Sequence, residues 1–543
     1  MRQNKRKRET ESVAVTLQKG MQTLLDAVIC VYILLILGVM PFYNQEGYTH
    51  IGTDKSTFFR EVSKGSAKAA VPLLILYLLI KLWNFWCKKG TVSELWAALK
   101  MKTSLTDLCA GAYGISVLLS YAFSHCKQEA LWGAGGWYMG LYTQLMLVGS
   151  YFFISKCHRP KKWVFLTIFP VSAVVFILGY LNRFGINPLR MKSYGSGFIS
   201  TVGNINWYCG YIVSVFFAGV ALLWQGEPLK IWQKVLLMIY TVIGSAGLIT
   251  QGSSSGIAAM AAVLLIMLCM SVSDGGKMYR FWQVMSLFGG TCLLTYGIQA
   301  VTGRKINYTD IYMVIFNSWK LALIMTSVSL VMLAVTYVSI RRKSYSEKAW
   351  RVFAGICVGI IATMMSLYAV LLIMNTLHPG SIGALSENRW FFFSNKWGSK
   401  RGATWKAGIL CFMEQDFLHK LVGVGPDAMA SYIYNKGSAR LLNFVTENFS
   451  SSRLTNAHNE WLTVLVDTGI LGCICFVGMI ISAMVRFLRK ESSNLITCAC
   501  GFCLLGYTVN NMFSFQQALN AATIFVVLGI GEAFLMINKK NSA

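Results

Sequence analysis

Apolar residues in this chain gather into long runs with short polar gaps between them, and the runs recur from one end to the other. A run of about 20 apolar residues is long enough to cross a bilayer as a helix. Read this way, the spans fall at roughly 21–42, 69–87, 105–123, 136–155, 163–182, 203–224, 231–250, 255–273, 281–301, 318–340, 352–375, 461–485, 493–513 and 518–537. That makes about fourteen spans and predicts an all-α polytopic transmembrane bundle. No internal repeat is visible.

One gap breaks the rhythm. About 80 residues separate Asn375 from Trp461, far more than the usual 2–8 residue helix connection. This segment is rich in Trp and Phe (Trp390, Phe391, Phe392, Phe393, Trp397, Trp405), as suits chain lying against a membrane interface. Within it, Trp405, Ile409, Phe412, Met413, Phe417 and Leu421 recur at three- and four-residue steps, predicting an amphipathic helix over 402–422. Gly423, Gly425 and Pro426 end it. A cap over the bundle and a lid over an active site both fit. The expected organisation is eleven spans in 1–375, an extracytoplasmic loop in 376–460 and three spans in 461–543.

Composition agrees with a membrane-embedded chain. Hydrophobic residues make up 55% of the 543 and charged residues 13%, with mean hydropathy +0.53. A soluble domain carries about a quarter charged residues to cover its surface. The formal net charge of +27 would otherwise suggest nucleic acid. Here the basic residues concentrate in alternate short loops, such as Lys156/Arg159/Lys161/Lys162 and Arg341/Arg342/Lys343, as the positive-inside rule requires of cytoplasmic loops. No nucleic-acid partner is expected, and both termini are expected in the cytoplasm. The basic start is followed by an apolar run of full spanning length without a small-residue cleavage site, which reads as an anchor helix. The cysteines, such as Cys109, Cys209, Cys269 and Cys357, lie inside apolar runs and act as small hydrophobes.

Candidate chemistry concentrates where the long loop meets the next span, at Asn456-Ala457-His458-Asn459-Glu460-Trp461. With Asn456 as N-cap, His458 would occupy the first helical turn, where the helix dipole disfavours imidazolium and Glu460 favours it. The sign of the shift stays open, and so does the choice between a base and an interfacial histidine bonded to the loop. His458-Asn459 is followed after nine residues by Gly469-Ile470-Leu471-Gly472, two glycines three apart that let a neighbouring helix approach. Asp467, inside the span, is expected to serve as a buried hydrogen-bond partner of Asn510 or Asn511.

With these pieces in order, the chain resembles the O-antigen ligases and the related polymerases of bacterial surface polysaccharides. The His-Asn…Gly-x-x-Gly arrangement after a long loop is their shared signature. Gly203-Asn204-Ile205-Asn206 resembles the family's Gly-Asn-x-Asn segment. Gly398-Ser399-Lys400-Arg401 followed by Trp405 is similar to its Gly-x-Arg…Trp stretch, and Gly423-Val424-Gly425-Pro426 to its Gly-x-Gly turn. The resemblance covers roughly residues 200–475. One departure stands out: where the family often carries Ser-Arg-Gly, its Arg contacting diphosphate, this chain has Ser253-Ser254-Ser255-Gly256 without an arginine. Hydroxyls and backbone N–H groups at that helix start, or another cation such as Arg190 or Arg389, would have to take over.

The resemblance implies transfer of a glycan from a polyprenyl-diphosphate-linked donor to an acceptor hydroxyl, on a glycan or lipid-glycan, at the outer face of the bacterial cytoplasmic membrane. It implies a glycosyltransferase that inverts the anomeric centre and needs neither metal nor cofactor. His458 would be the base, Arg401 first and Arg190 second would meet the diphosphate, and Asn459, Asn204, Asn206 and Ser255 would contact substrate. Between Asn375 and His458 stand nine Lys or Arg against five Asp or Glu, a balance that favours an anion. The competing class is a transporter that flips lipid-linked oligosaccharides. Transporters usually show two related halves and charge at the midplane of broken helices, whereas here the polar candidates gather at one surface.

Overall fold

The computed structural model describes residues 2–87, 93, 103–193, 195, 197–226, 229–306, 311–450, 452–489 and 494–542. Among these, twelve helices are long and apolar enough to cross a membrane, and the only strands are a two-residue hairpin in which Phe198 pairs with Asn204. The fold is an all-α polytopic bundle. The two other expected spans exist as shorter elements: Leu141–Phe152, prolonged by a π-helical turn Phe153–Cys157, and Leu495–Asn510.

Ten helices build the candidate site and its supports: α1 (Leu105–Phe123), α2 (Ile205–Gln225), α3 (Ser254–Ser271), α4 (Trp397–Glu414), α5 (Phe417–Val422), α6 (Met429–Lys436), α7 (Ala439–Phe449), α8 (Glu460–Leu488), α9 (Leu495–Asn510) and α10 (Ala518–Ser542). Helix α2 runs through the centre, with 94% of its most apolar stretch buried, and α10 is close behind at 89%. By contrast, Glu347–Leu377 buries none of its most apolar stretch against the rest of the chain. Lipid is as apolar as leucine, so helices here associate through close packing and polar contacts rather than through the hydrophobic effect. Glycines provide the close packing: a Cβ at Gly506 of α9 would meet the Phe217 ring of α2 at 2.5 Å.

Buried ion pairs tie the bundle together at the end remote from His458. Arg486 of α8 forms a two-pronged bridge to Glu532 of α10 at 2.7 and 2.9 Å, and Glu532 is fully buried. Asp26 accepts from the backbone N–H of Arg159 at 2.9 Å and pairs with His158 and Lys161 at 2.6 and 2.9 Å, locking the first span to the 158–161 loop.

The long loop is a folded layer with a hydrophobic cluster of its own, built from Ala407, Cys411, Met429, Ile433, Leu441 and Val445 among others. The single amphipathic helix expected over 402–422 is instead two. Helix α4 stops at Gln415, and Asp416 caps α5 by accepting from the His419 N–H at 2.9 Å. Gly423 ends α5 with positive φ, as its place after the last apolar residue suggests.

Helix α8 is broken rather than continuous. Gly469 has φ +67°, and a Cβ there would run into the Leu421 carbonyl and the Gly423 nitrogen. The Gly423–Pro426 turn wedges into this break: Val424 N donates to Val466 O at 3.2 Å and Gly425 N to Asp467 O at 3.0 Å. The first glycine of the Gly-x-x-Gly pair therefore admits a loop backbone, not a neighbouring helix. Asp467 likewise has partners other than those expected: its carboxylate accepts from Asp427 N and Met429 N, both at 3.1 Å. Asn510 and Asn511 pair with each other and with other groups.

Candidate functional site

His458 sits just before α8 and not inside its first turn. Asn459 is the N-cap, its Oδ1 accepting from Leu462 N at 3.1 Å. Asn456 closes a smaller turn by accepting from His458 N at 3.0 Å, which holds His458 at φ +49°. A non-glycine residue at positive φ is uncommon and costs local strain. Here it turns the imidazole back over the helix end, edge-on to Phe515, with ring centroids 4.9 Å apart at 83°. The ring has no hydrogen-bond partner among the described residues. Burial, reinforced by the positive charge of Arg401, pushes the imidazole down to about 4, so it is neutral and able to accept a proton at ordinary pH. The carboxylate of Glu460 is turned to Tyr507 and Asn511 and does not oppose this.

Arg401 reaches the same place from the loop layer. Gly398, Ser399 and Lys400 are all left-handed, a tight turn that swings α4 so that Arg401 faces the loop between α9 and α10. Its Nε donates to Phe513 O at 3.0 Å and one terminal nitrogen to Gly398 O at 3.2 Å. Phe513 and Phe515 are two residues apart, so one short loop carries both the carbonyl that anchors Arg401 and the ring that supports His458. Trp405, one turn beyond Arg401, stacks on Phe513 at 6.0 Å. Next to Arg401 the fold sets an aromatic wall, with Phe393 and Trp397 packed on Trp405.

A buried polar chain joins Ser255 to this site. Ser255 Oγ donates to Asn510 Oδ1 at 2.8 Å, Asn510 Nδ2 to Asn511 Oδ1 at 2.7 Å, and Asn511 in turn to Glu460, two residues from His458. Aromatic rings make a second link: Trp207 of α2 packs on Trp137 at 5.3 Å, and Trp137 on Phe515 at 4.7 Å. This brings the start of α2 beside the site. Asn204 spends its side-chain oxygen capping that helix, accepting from Asn206 N at 2.9 Å, while Asn206 is half-buried on the first turn. Asn459 is spent likewise as the cap of α8, so its oxygen is not turned to a ligand. Arg190 is exposed in the loop preceding the hairpin, and its side chain makes no hydrogen bond among the described residues. Arg389 is exposed beside the Trp390 ring.

The cation at the serine-rich turn is Arg183, which sequence reasoning did not single out. Arg183 donates to Gln251 O, and a Cβ at Gly252, whose φ is +105°, would collide with the guanidinium. Tyr312 completes the turn, its hydroxyl accepting from Gly252 N at 3.1 Å. A signal was present: Arg183 closes an apolar span, and an ionisable residue there is a functional candidate by default. Behind His458 lies a cavity of about 30 Å³, lined by Asn456, Asp427, Glu460, Asp467, Phe515 and Gln516 among others, room for about one water. Asp427 there accepts from Ala134 N and Met139 N, each at 2.8 Å, yet burial outweighs both bonds and raises its carboxyl to about 7.

Residues 309–477 match the family model for O-antigen ligase. Over that segment the chain is similar to the O-antigen ligases. The match runs from the segment before α4 to the middle of α8 and contains Arg401, the Gly423–Pro426 turn and His458, while Ser255, Asn204 and Arg183 lie outside it. No curated protein matches the chain. That similarity supports a glycosyl-transfer role in surface polysaccharide assembly, and the twelve long apolar helices among the described residues fit a multi-pass membrane protein. Lipid-linked glycan donors and polysaccharide acceptors are the substrates that this family implies.

Proposed function

We propose that the protein transfers a glycan from a polyprenyl-diphosphate-linked donor to an acceptor hydroxyl at the extracytoplasmic face of the cytoplasmic membrane. The observation that carries this reading is the convergence of His458 and Arg401 on the 511–517 loop: a neutral imidazole without a hydrogen-bond partner among the described residues, beside a fixed guanidinium. The acceptor hydroxyl gives its proton to the imidazole of His458 as its oxygen bonds to the anomeric carbon. The bond from that carbon to the diphosphate oxygen breaks, its electron pair leaves with the diphosphate, and Arg401 meets the developing charge. Attack opposite the leaving group inverts the anomeric centre. Arg183, at the turn leading into α3, is a second cation for the same anion, ahead of the exposed Arg190. No step in this scheme calls on a metal.

The test uses the purified full-length chain in vesicles with preformed lipid-linked donor and acceptor on the outer side. Wild type should consume the donor, and chelator should not slow it. Arg401→Ala should lower turnover by about 10²-fold, the scale of one lost charge-stabilising group. Relocation of intact donor to the other leaflet without consumption would favour the transporter and sink the transferase. A strict requirement for added divalent ion would overturn the metal-free step.

A further inference from the structure

At the opposite end of α8 the same helix presents a second surface with different chemistry. A groove of about 700 Å³ runs along it from Cys473 to Arg489, with Leu105 at the start of α1 on its other bank. Its first turns are apolar, through Ile474, Val477 and Ile481, and its last two turns are polar and basic, through Ser482, Arg486 and Arg489. Helix α1 packs so tightly here that a Cβ on Gly478 would lie 3.0 Å from Cys109 Sγ, which makes the groove a fixed feature of the helix pair. Thr106 reinforces the polar end, 3.0 Å from both Ser482 Oγ and the Arg486 guanidinium. Arg486 is balanced by its bridge to Glu532, and Arg489, exposed on the same face one turn later, adds a second guanidinium.

We propose that this groove is a binding site for one anionic glycerophospholipid of the cytoplasmic leaflet, its acyl chain along Cys473–Ile481 and its phosphate at Arg489. The end of α8 that carries Arg486 and Arg489 belongs to the lysine- and arginine-rich side, the cytoplasmic side by the positive-inside rule. The sixteen-residue step from Cys473 to Arg489 covers about 24 Å at the helical rise. One leaflet with its headgroups is about 20–22 Å deep, so the apolar-to-basic gradient has the length of one phospholipid. A polyprenyl chain is much longer than a leaflet, so most of it would lie outside a groove of this length. Basic pockets between helices on this side are a recurrent means of holding anionic headgroups.

Native mass spectrometry of the purified full-length chain tests this, with phosphatidylglycerol, phosphatidylcholine or undecaprenyl phosphate supplied in detergent. Phosphatidylglycerol should be retained about fivefold over phosphatidylcholine, the weight of one basic residue on an anionic lipid. Arg489→Gln should erase that preference, whereas Arg341→Gln, an exposed arginine on another helix of the same side, should keep it. Val477→Trp, which fills the groove, should lower retention of both phospholipids. Equal retention of the two phospholipids, displacement by undecaprenyl phosphate, or an equal loss from Arg341→Gln would overturn the proposal. None of these readouts depends on glycan transfer, so they stand apart from the catalytic reading.

Discussion

Two histidines at opposite ends of the bundle are used in opposite ways. His158 is buried, and its Nδ1 lies 2.6 Å from Asp26, whose other oxygen is held by Lys161. His458 is half-buried, and its ring rests on Phe515 beside a guanidinium, with no hydrogen bond among the described residues to spend itself on. Burial lowers the pKa of both, with Asp26 pulling His158 back up and Arg401 pushing His458 further down. The contrast teaches that burial alone does not mark a functional histidine. A ring already bonded to its surroundings is an anchor, and a ring positioned by packing while its nitrogens stay open is available for chemistry.

Substitution breaks this contrast most directly. His458→Ala should cut glycan transfer by about 10²–10⁴-fold, the range of a lost general base, while the protein stays inserted and melts at an unchanged temperature. His158→Ala should do the reverse, removing about 3–5 kcal/mol of stability as a buried pair is broken, with turnover per folded molecule intact. Activity and thermal melting measured on the same preparations decide it, and equal activity loss in the two variants would erase the distinction.

The pH profile sharpens it further. His458 is neutral above about 4, so its contribution to transfer should hold level across pH 5–8 and fall only as pH drops through about 4. Because its folded pKa lies below the ordinary histidine value, protonation also favours the unfolded chain, and that stability is lost as pH falls from about 6.5 toward 4. Arg401→Gln removes one of the two causes and should move the ring's titration upward, which NMR of labelled histidine reads directly. A midpoint at 6.5 in the wild-type protein would mean that the ring is far more open to water than its packing against Phe515 implies.

The smallest effect concerns the cavity behind His458. Asp427 has its carboxyl raised to about 7, so ionisation costs stability as pH rises from its ordinary value through 7. Asp427→Asn keeps an oxygen for the Ala134 and Met139 amides without that charge. It should change stability by less than about 1 kcal/mol at pH 8, whereas Asp427→Ala, which orphans two buried N–H groups, should cost about 2 kcal/mol. Chemical unfolding in detergent at pH 6 and pH 8 distinguishes the two.

Much of the architecture is legible in the order of residues. Hydropathy alone locates the spans, because a segment crossing a bilayer must be apolar for its whole length whatever it packs against. The same rule makes hydropathy blind to position. Glu347–Leu377, which buries none of its most apolar stretch, is more apolar than the central α2, so apolarity does not say which of them lies in the middle. The loop layer is partly legible: Trp405 and Arg401 stand out, but the break at Gln415 and the left-handed turn at Gly398–Lys400 depend on contacts with distant chain.

The order of residues is enough to show a helical membrane protein, to place its one long loop, and to pick out His458 and Arg401 as candidates at that loop. It takes the packed helices to show that Asn459 rather than Asn456 caps α8, that Gly469 breaks it to receive a loop, and that Arg183 is hydrogen-bonded to the serine-rich turn. The reason is physical. Spans and charge asymmetry follow from each segment's own free energy in lipid and water, which is a local quantity. A cap, a helix break or a borrowed guanidinium is settled by which distant backbone group needs a partner, and that is known only once the helices have packed.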